Sequence, residues 1–110
     1  MSDATTYDVI DVEDGAPVAG VWVGVTFDKA SRAMMALSHE GRRGLGIIRH
    51  GDPHAEAVAC ARARSAVAEA ELSMDVAVPS KREPLAKRWV RLLAARNAAD
   101  EALRRARGTR

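Results

Sequence analysis

Apolar and polar positions alternate over two short stretches near the start of the chain, and then the period lengthens. Tyr7 to Val12 reads as a first strand, and after the turn residues Glu13-Asp14-Gly15-Ala16-Pro17 a second is expected over Val18 to Thr26. In that second strand Val21, Val23, Val25 and Phe27 share the face assigned to the core, with Gly20, Trp22, Gly24 and Thr26 on the other, where a helix is expected to cover the tryptophan. From Asp28 the spacing becomes helical: Ala30, Ala33, Met34 and Leu37 fall at i, i+3, i+4 and i+7, Asp28 is placed to cap, and Gly41 supplies the stop. The segment Gly41-Arg42-Arg43-Gly44-Leu45-Gly46 closes a helix and opens a strand. A phosphate-cradling glycine loop needs the reverse order, so this one reads as a connector. The apolar run through Ile47 and Ile48 predicts a third strand.

That strand ends abruptly in Arg49-His50-Gly51-Asp52-Pro53-His54. Asp52 followed by Pro53 is a helix-start signal, because a carboxylate accepts from free backbone amides and the proline ring is already near helical φ. Pro53 to Leu72 has the alanine content of a helix, although its amphipathicity is weak. Met74-Asp75-Val76-Ala77-Val78 alternates again and predicts a fourth strand closed by Pro79. Ser80 with Glu83 forms a capping box for a last helix, and Pro84 falls in its tolerant first turn. On that helix Leu85, Trp89, Leu92, Ala99, Leu103 and Ala106 make one stripe, with Arg96 inside it and Asp100 one turn on as its expected partner.

The predicted order is β-β-α-β-α-β-α, a single small α/β domain over residues 7–107 after a flexible N-terminus of residues 1–6. Right-handed crossovers would give a mixed sheet, covered by helices and built on Val21, Val23, Val25, Ile47, Ile48, Val76 and Val78. Its carboxyl edge would gather Asp28, the Arg49 to His54 cluster and Ser80-Lys81-Arg82.

Composition sharpens this picture in three ways. Twenty-two of 110 residues are alanine and only four are aromatic, so the core must rely on close helix contacts. The single Cys60 cannot form an internal disulfide and no apolar run approaches a bilayer-spanning length, which leads to the expectation of a cytoplasmic protein that does not enter membranes. Charge is uneven: residues 80–110 hold ten bases and three acids, whereas five acids and no base fall in the first fourteen residues. Attraction between the two ends across the fold or in a homo-oligomer, or an acidic partner, protein or nucleic acid, docking on the last helix, follows from that asymmetry.

Three function classes compete. Ile47-Ile48-Arg49-His50-Gly51 resembles the signature of the histidine phosphatase superfamily, in which arginine binds phosphate oxygens and histidine accepts the phosphoryl group. That family also needs a second histidine and arginine far downstream, and no histidine follows His54, so no catalytic residue is assigned. His50, Asp52 and His54 offer metal-ligand types, but crowding at a proline-bounded helix start disfavours closed coordination, and neither metal nor cofactor is expected. Arg49, His50, His54, Lys81 and Arg82 remain candidates for anion binding.

Val21-Trp22-Val23-Gly24-Val25, Met35 to Gly41, Ala59 to Ser65, Glu83-Pro84-Leu85 and Arg96-Asn97-Ala98-Ala99, in that order over about 80 residues, resemble the small subunit of diol or glycerol dehydratase reactivases. The resemblance implies a non-catalytic, chaperone-like subunit that binds a large ATPase subunit. Nucleic-acid binding through the basic C-terminal helix is the alternative. Against it, Lys87, Arg88, Arg91, Arg104 and Arg105 are spread around that helix rather than forming one stripe. A protein-interaction role is the leading reading, with Trp89, Leu92, Arg88, Arg91 and Arg96 near the contact, since Trp and Arg are enriched in interface hot spots.

Overall fold

The computed structural model describes residues 5–18 and 23–108, and the counts below refer to these. The element order is β1 (Tyr7–Asp11), α1 (Phe27–His39), β2 (Leu45–Arg49), α2 (His54–Val76) and α3 (Pro79–Gly108). The two strands pair antiparallel, with Tyr7 opposite Arg49 and Asp11 opposite Leu45. The expected four-stranded mixed sheet is therefore corrected to a two-stranded antiparallel one in a predominantly helical molecule.

Pleating gives β1 two apolar faces. Val9, fully buried, packs with Val18, Ala30 and Ala33 beneath α1, while Ile10 and Val12 pack with Ile48, Ala57, Val58, Cys60 and Ala61 beneath α2. Sheet and α2 approach closely: a Cβ on Gly46 would lie 2.8 Å from the Ala61 Cβ and 3.1 Å from Val12. Arg62 pins the same junction by donating to the Val12 carbonyl at 2.9 and 2.7 Å. Helix α3 lies outside α2, with Leu103 reaching the core. Because α2 is sandwiched between sheet and α3, its apolar residues need two faces, which explains its weak amphipathicity.

Among the described residues the second predicted strand is not formed. Residues 19–22, including Val21 and Trp22, lie outside the described residues, and the flanking Pro17 and Val25 make only isolated bridges to Ile10 and Tyr7. Gly24 adopts φ 68°, which breaks the pleat, and Val23 is exposed instead of buried. The fourth predicted strand is also absent, since α2 continues to Val76, Ala77 ends it, and Pro79 opens α3. Extending an alanine-rich helix costs less than starting a strand with no partner, and proline suits a first helical position. Val76 is accordingly 84% exposed and Val78 57%.

Caps differ too. Thr26, not Asp28, caps α1 by accepting from the Lys29 amide at 3.3 Å, and Asp28 pairs with Arg32 at 3.2 Å. At the other end Gly41 at φ 93° closes the helix as expected, with the Arg42 amide donating to Leu37 and the Gly41 amide to Ser38. Pro53 occupies the cap of α2, leaving Asp52 free for another partner. With α3 starting at Pro79, Pro84 lies in its second turn.

Candidate functional site

Hydrogen-bond parity along β2 decides what its outer edge offers. The Gly44 carbonyl accepts from the Val12 amide at 2.8 Å and the His50 amide donates to Thr6 at 2.9 Å, so Gly44, Gly46, Ile48 and His50 turn their backbone groups toward β1. Leu45, Ile47 and Arg49 turn theirs outward. The Arg49 carbonyl accepts from the Asp52 amide at 3.2 Å. The outward amides of Leu45, Ile47 and Arg49 and the carbonyls of Leu45 and Ile47 have no backbone partner among the described residues. On β1 the opposite edge is occupied, by Val25 bonding Tyr7 at 2.7 and 3.0 Å and by Val18 donating to Val9 at 3.0 Å.

Two clefts straddle this free edge. The larger, about 390 Å³, lies at its Arg49 end between Phe27 of α1 and Ala57, Ala61 and Arg64 of α2, with Leu103, Arg104 and Arg107 of α3 at its back. The second, about 300 Å³, lies at the Leu45 end between Met34 and Ser38 of α1 and Ser65, Ala68 and Leu72 of α2, rimmed by Arg42 and Arg43. Each touches elements on both faces of the sheet, so β2 forms the floor of a groove running between α1 and α2.

The groove's rim is positive. At its Arg49 end, Asp52 and Arg107 form a two-pronged pair at 3.0 and 2.6 Å. Asp100 accepts from the Cys60 thiol at 2.7 Å and from Arg64 at 3.3 Å. The Cys60 hydrogen bond, with Arg64 reinforcing it, holds the Asp100 carboxyl below its ordinary range, and burial pushes the Cys60 thiol up, so Cys60 stays a protonated donor. The Asp52 hydrogen bond raises Arg107 further. Both carboxylates of this end are thereby committed internally, and Glu69 is the one carboxylate that lines the cleft at the Leu45 end, whereas Arg42, Arg43 and Arg49 pair with no carboxylate among the described residues.

The candidate anion-binding residues are dispersed. Arg49 enters the groove. His50 turns instead to Asp8, its Nδ1 lying 3.0 and 3.2 Å from the two carboxylate oxygens, and Asp8 also accepts from the Gly24 amide at 2.8 Å. The Nε2 of His54 lies beside Gly15. Lys81 and Arg82 stand at the opposite end of α3 from Arg107, roughly 40 Å away along a helix of that length. Among the described residues no cluster of three or more His, Cys, Asp and Glu side chains is placed to hold a metal ion.

The interaction candidates fall on the middle of the α2–α3 hairpin. Half-buried Trp89 donates through Nε1 to Glu71 at 3.1 Å. Leu92 is half-buried, and Arg88 and Arg91 are exposed. Arg96 donates no hydrogen bond to Asp100: its Nη2 donates to Asn97 at 3.3 Å and its Nε is buried without a partner. From Glu71 to Ala102 no residue of either helix is buried, and Leu72, Val76, Val78 and Val90 are exposed. This part of the hairpin is an arm with no third element against it.

Sequence reasoning missed the free edge and the arginines Arg64, Arg104 and Arg107. The spacing of Arg104 and Arg107 does put them on one helix face, but backbone parity leaves no trace in residue identity. Among the described residues no helix is long and apolar enough to cross a membrane. No family model, curated protein or solved structure matches the chain.

Proposed function

We propose that this protein is a non-catalytic association module that pairs through the α2–α3 arm with a second copy of itself. The observation that carries this reading is the exposure of Leu72, Val76, Val78 and Val90 on a two-helix arm in which no residue from Glu71 to Ala102 is buried.

Charge selects the occupant. Residues 66–76 on α2 carry Glu69, Glu71 and Asp75 with no base, and residues 80–96 on α3 carry six bases against Glu83 alone. Two arms related by a two-fold axis set the acidic helix of each against the basic helix of the other, as in an antiparallel four-helix bundle. The resemblance to reactivase small subunits supplies a heterologous alternative, a large ATPase subunit.

Sedimentation equilibrium on nuclease-treated protein tests the proposal. Dimer is expected at micromolar concentration, weakening as salt is raised from about 50 to 500 mM because the opposed charges are screened. A monomer throughout that range rejects the second copy as occupant. Nucleic acid co-purifying in place of a protein partner would reject the protein-interaction reading.

A further inference from the structure

We infer that the groove over β2 takes an extended acidic segment of another protein as an added strand. This deepens the association reading but uses a surface that meets the arm's exposed apolar residues only at Leu72, which lines the second cleft. Leu45 to Arg49 presents outward amides and carbonyls over five residues, roughly 16 Å of edge, and a partner strand satisfies them with its own backbone. The strand's side chains would enter the two clefts, one at each end of the edge. An unpaired edge of this kind is otherwise an aggregation risk, which proteins blunt with charge, and here arginines outnumber carboxylates in both clefts, Arg42 and Arg43 against Glu69 in one and Arg49, Arg64, Arg104 and Arg107 against Asp52 and Asp100 in the other.

That positive excess identifies the occupant. Arg42 and Arg43 stand at one end of the edge and Arg49 at the other, none of them paired with a described carboxylate. A second copy pairing β2 against β2 antiparallel would bring Arg49 of one chain to the arginine end of the other, and like charges so placed are destabilising. A segment with Asp or Glu at both ends and apolar residues between matches the groove in charge and in lining.

The test uses the intact protein and a blocked seven-residue synthetic peptide with two glutamates at each end and three valines between, titrated calorimetrically and by amide chemical shifts. Saturable binding is expected, with shifts centred on Leu45 to Arg49. Two further peptides carry N-methyl groups on alternate amides, in the two possible parities. One parity removes the donors that face β2 and should weaken binding at least about tenfold, whereas the other should bind like the parent. Ile47→Pro deletes an outward amide without touching the β1 ladder and should have the same effect, and Arg49→Glu should weaken binding about as much.

Equal binding by both methylated peptides would mean that charge alone holds the peptide and would overturn the added strand. So would tighter binding of a seven-nucleotide single-stranded DNA, or no binding at millimolar peptide. Failure here with a salt-sensitive dimer still present removes this inference and leaves the arm untouched. Loss of the dimer with parity-dependent peptide binding does the reverse.

Discussion

The two ends of the α2–α3 hairpin are made from similar sequence and live in opposite surroundings. At the sheet end, Ala57, Val58, Cys60, Ala61 and Leu103 are buried against Ile10, Val12 and Ile48, and the polar groups close on one another through the Asp52–Arg107 and Cys60–Asp100 contacts. At the turn end, Leu72, Val76 and Val90 are as apolar as their counterparts yet stay exposed. Local helix propensity built both ends, but only one acquired a third layer. Stability therefore resides in the sheet end, and the arm is the part left to associate.

The sharpest way to break the contrast is Ile10→Ala, at a side chain 1% exposed that packs beneath α2. It should cost about 3 kcal/mol in urea melting, a large share of what a domain of this size possesses. A loss under about 1 kcal/mol would mean that β1 does not hold the core. In the arm, Val76→Ser with Val90→Ser should shift the melting of dilute monomer by less than about 0.5 kcal/mol each. The same pair should abolish the dimer, and unchanged sedimentation would sever exposure from association.

A smaller effect sharpens the sheet end. The Asp100 carboxyl is held below its ordinary value of 3.8, chiefly by the Cys60 hydrogen bond. A carboxyl lowered by folding contributes stability that is complete above the unfolded value and is lost as pH falls through the folded one. Cys60→Ala should therefore move the Asp100 titration, followed by carboxyl NMR, up toward 3.8 and narrow the acid window in which stability falls. An unmoved midpoint would assign the lowering to Arg64 and Arg96.

Residue pattern alone gave β1 at Tyr7, α1 with its glycine stop, the strand through Ile47 and Ile48, and the long alanine-rich helix, because each depends on local periodicity and end signals. The alternation at Met74 to Val78 misled, since five residues fit a strand only if another strand is there to pair with them, and neighbouring chain supplied a helix to extend instead. Val18 to Thr26 misled for the related reason that glycines permit a strand without enforcing one. The candidate site was less legible. Arg49 could be singled out by type, but His50 was drawn elsewhere by Asp8, a partner distant in sequence, and His54 stands beside Gly15 rather than in the groove.

Sequence by itself thus determined that Tyr7 and Ile47-Ile48 lie in strands, that helices occupy the stretches after Phe27, His54 and Ser80, and that positive charge accumulates toward the C-terminus. Tertiary structure alone decided that the strands run antiparallel, that β2 rather than β1 keeps an open edge, and that Arg42, Arg43, Arg49 and Arg107 line one groove. The physical reason is range. Periodicity and capping act within a few residues, whereas strand pairing, edge exposure and the convergence of charges depend on which distant segments reach each backbone first.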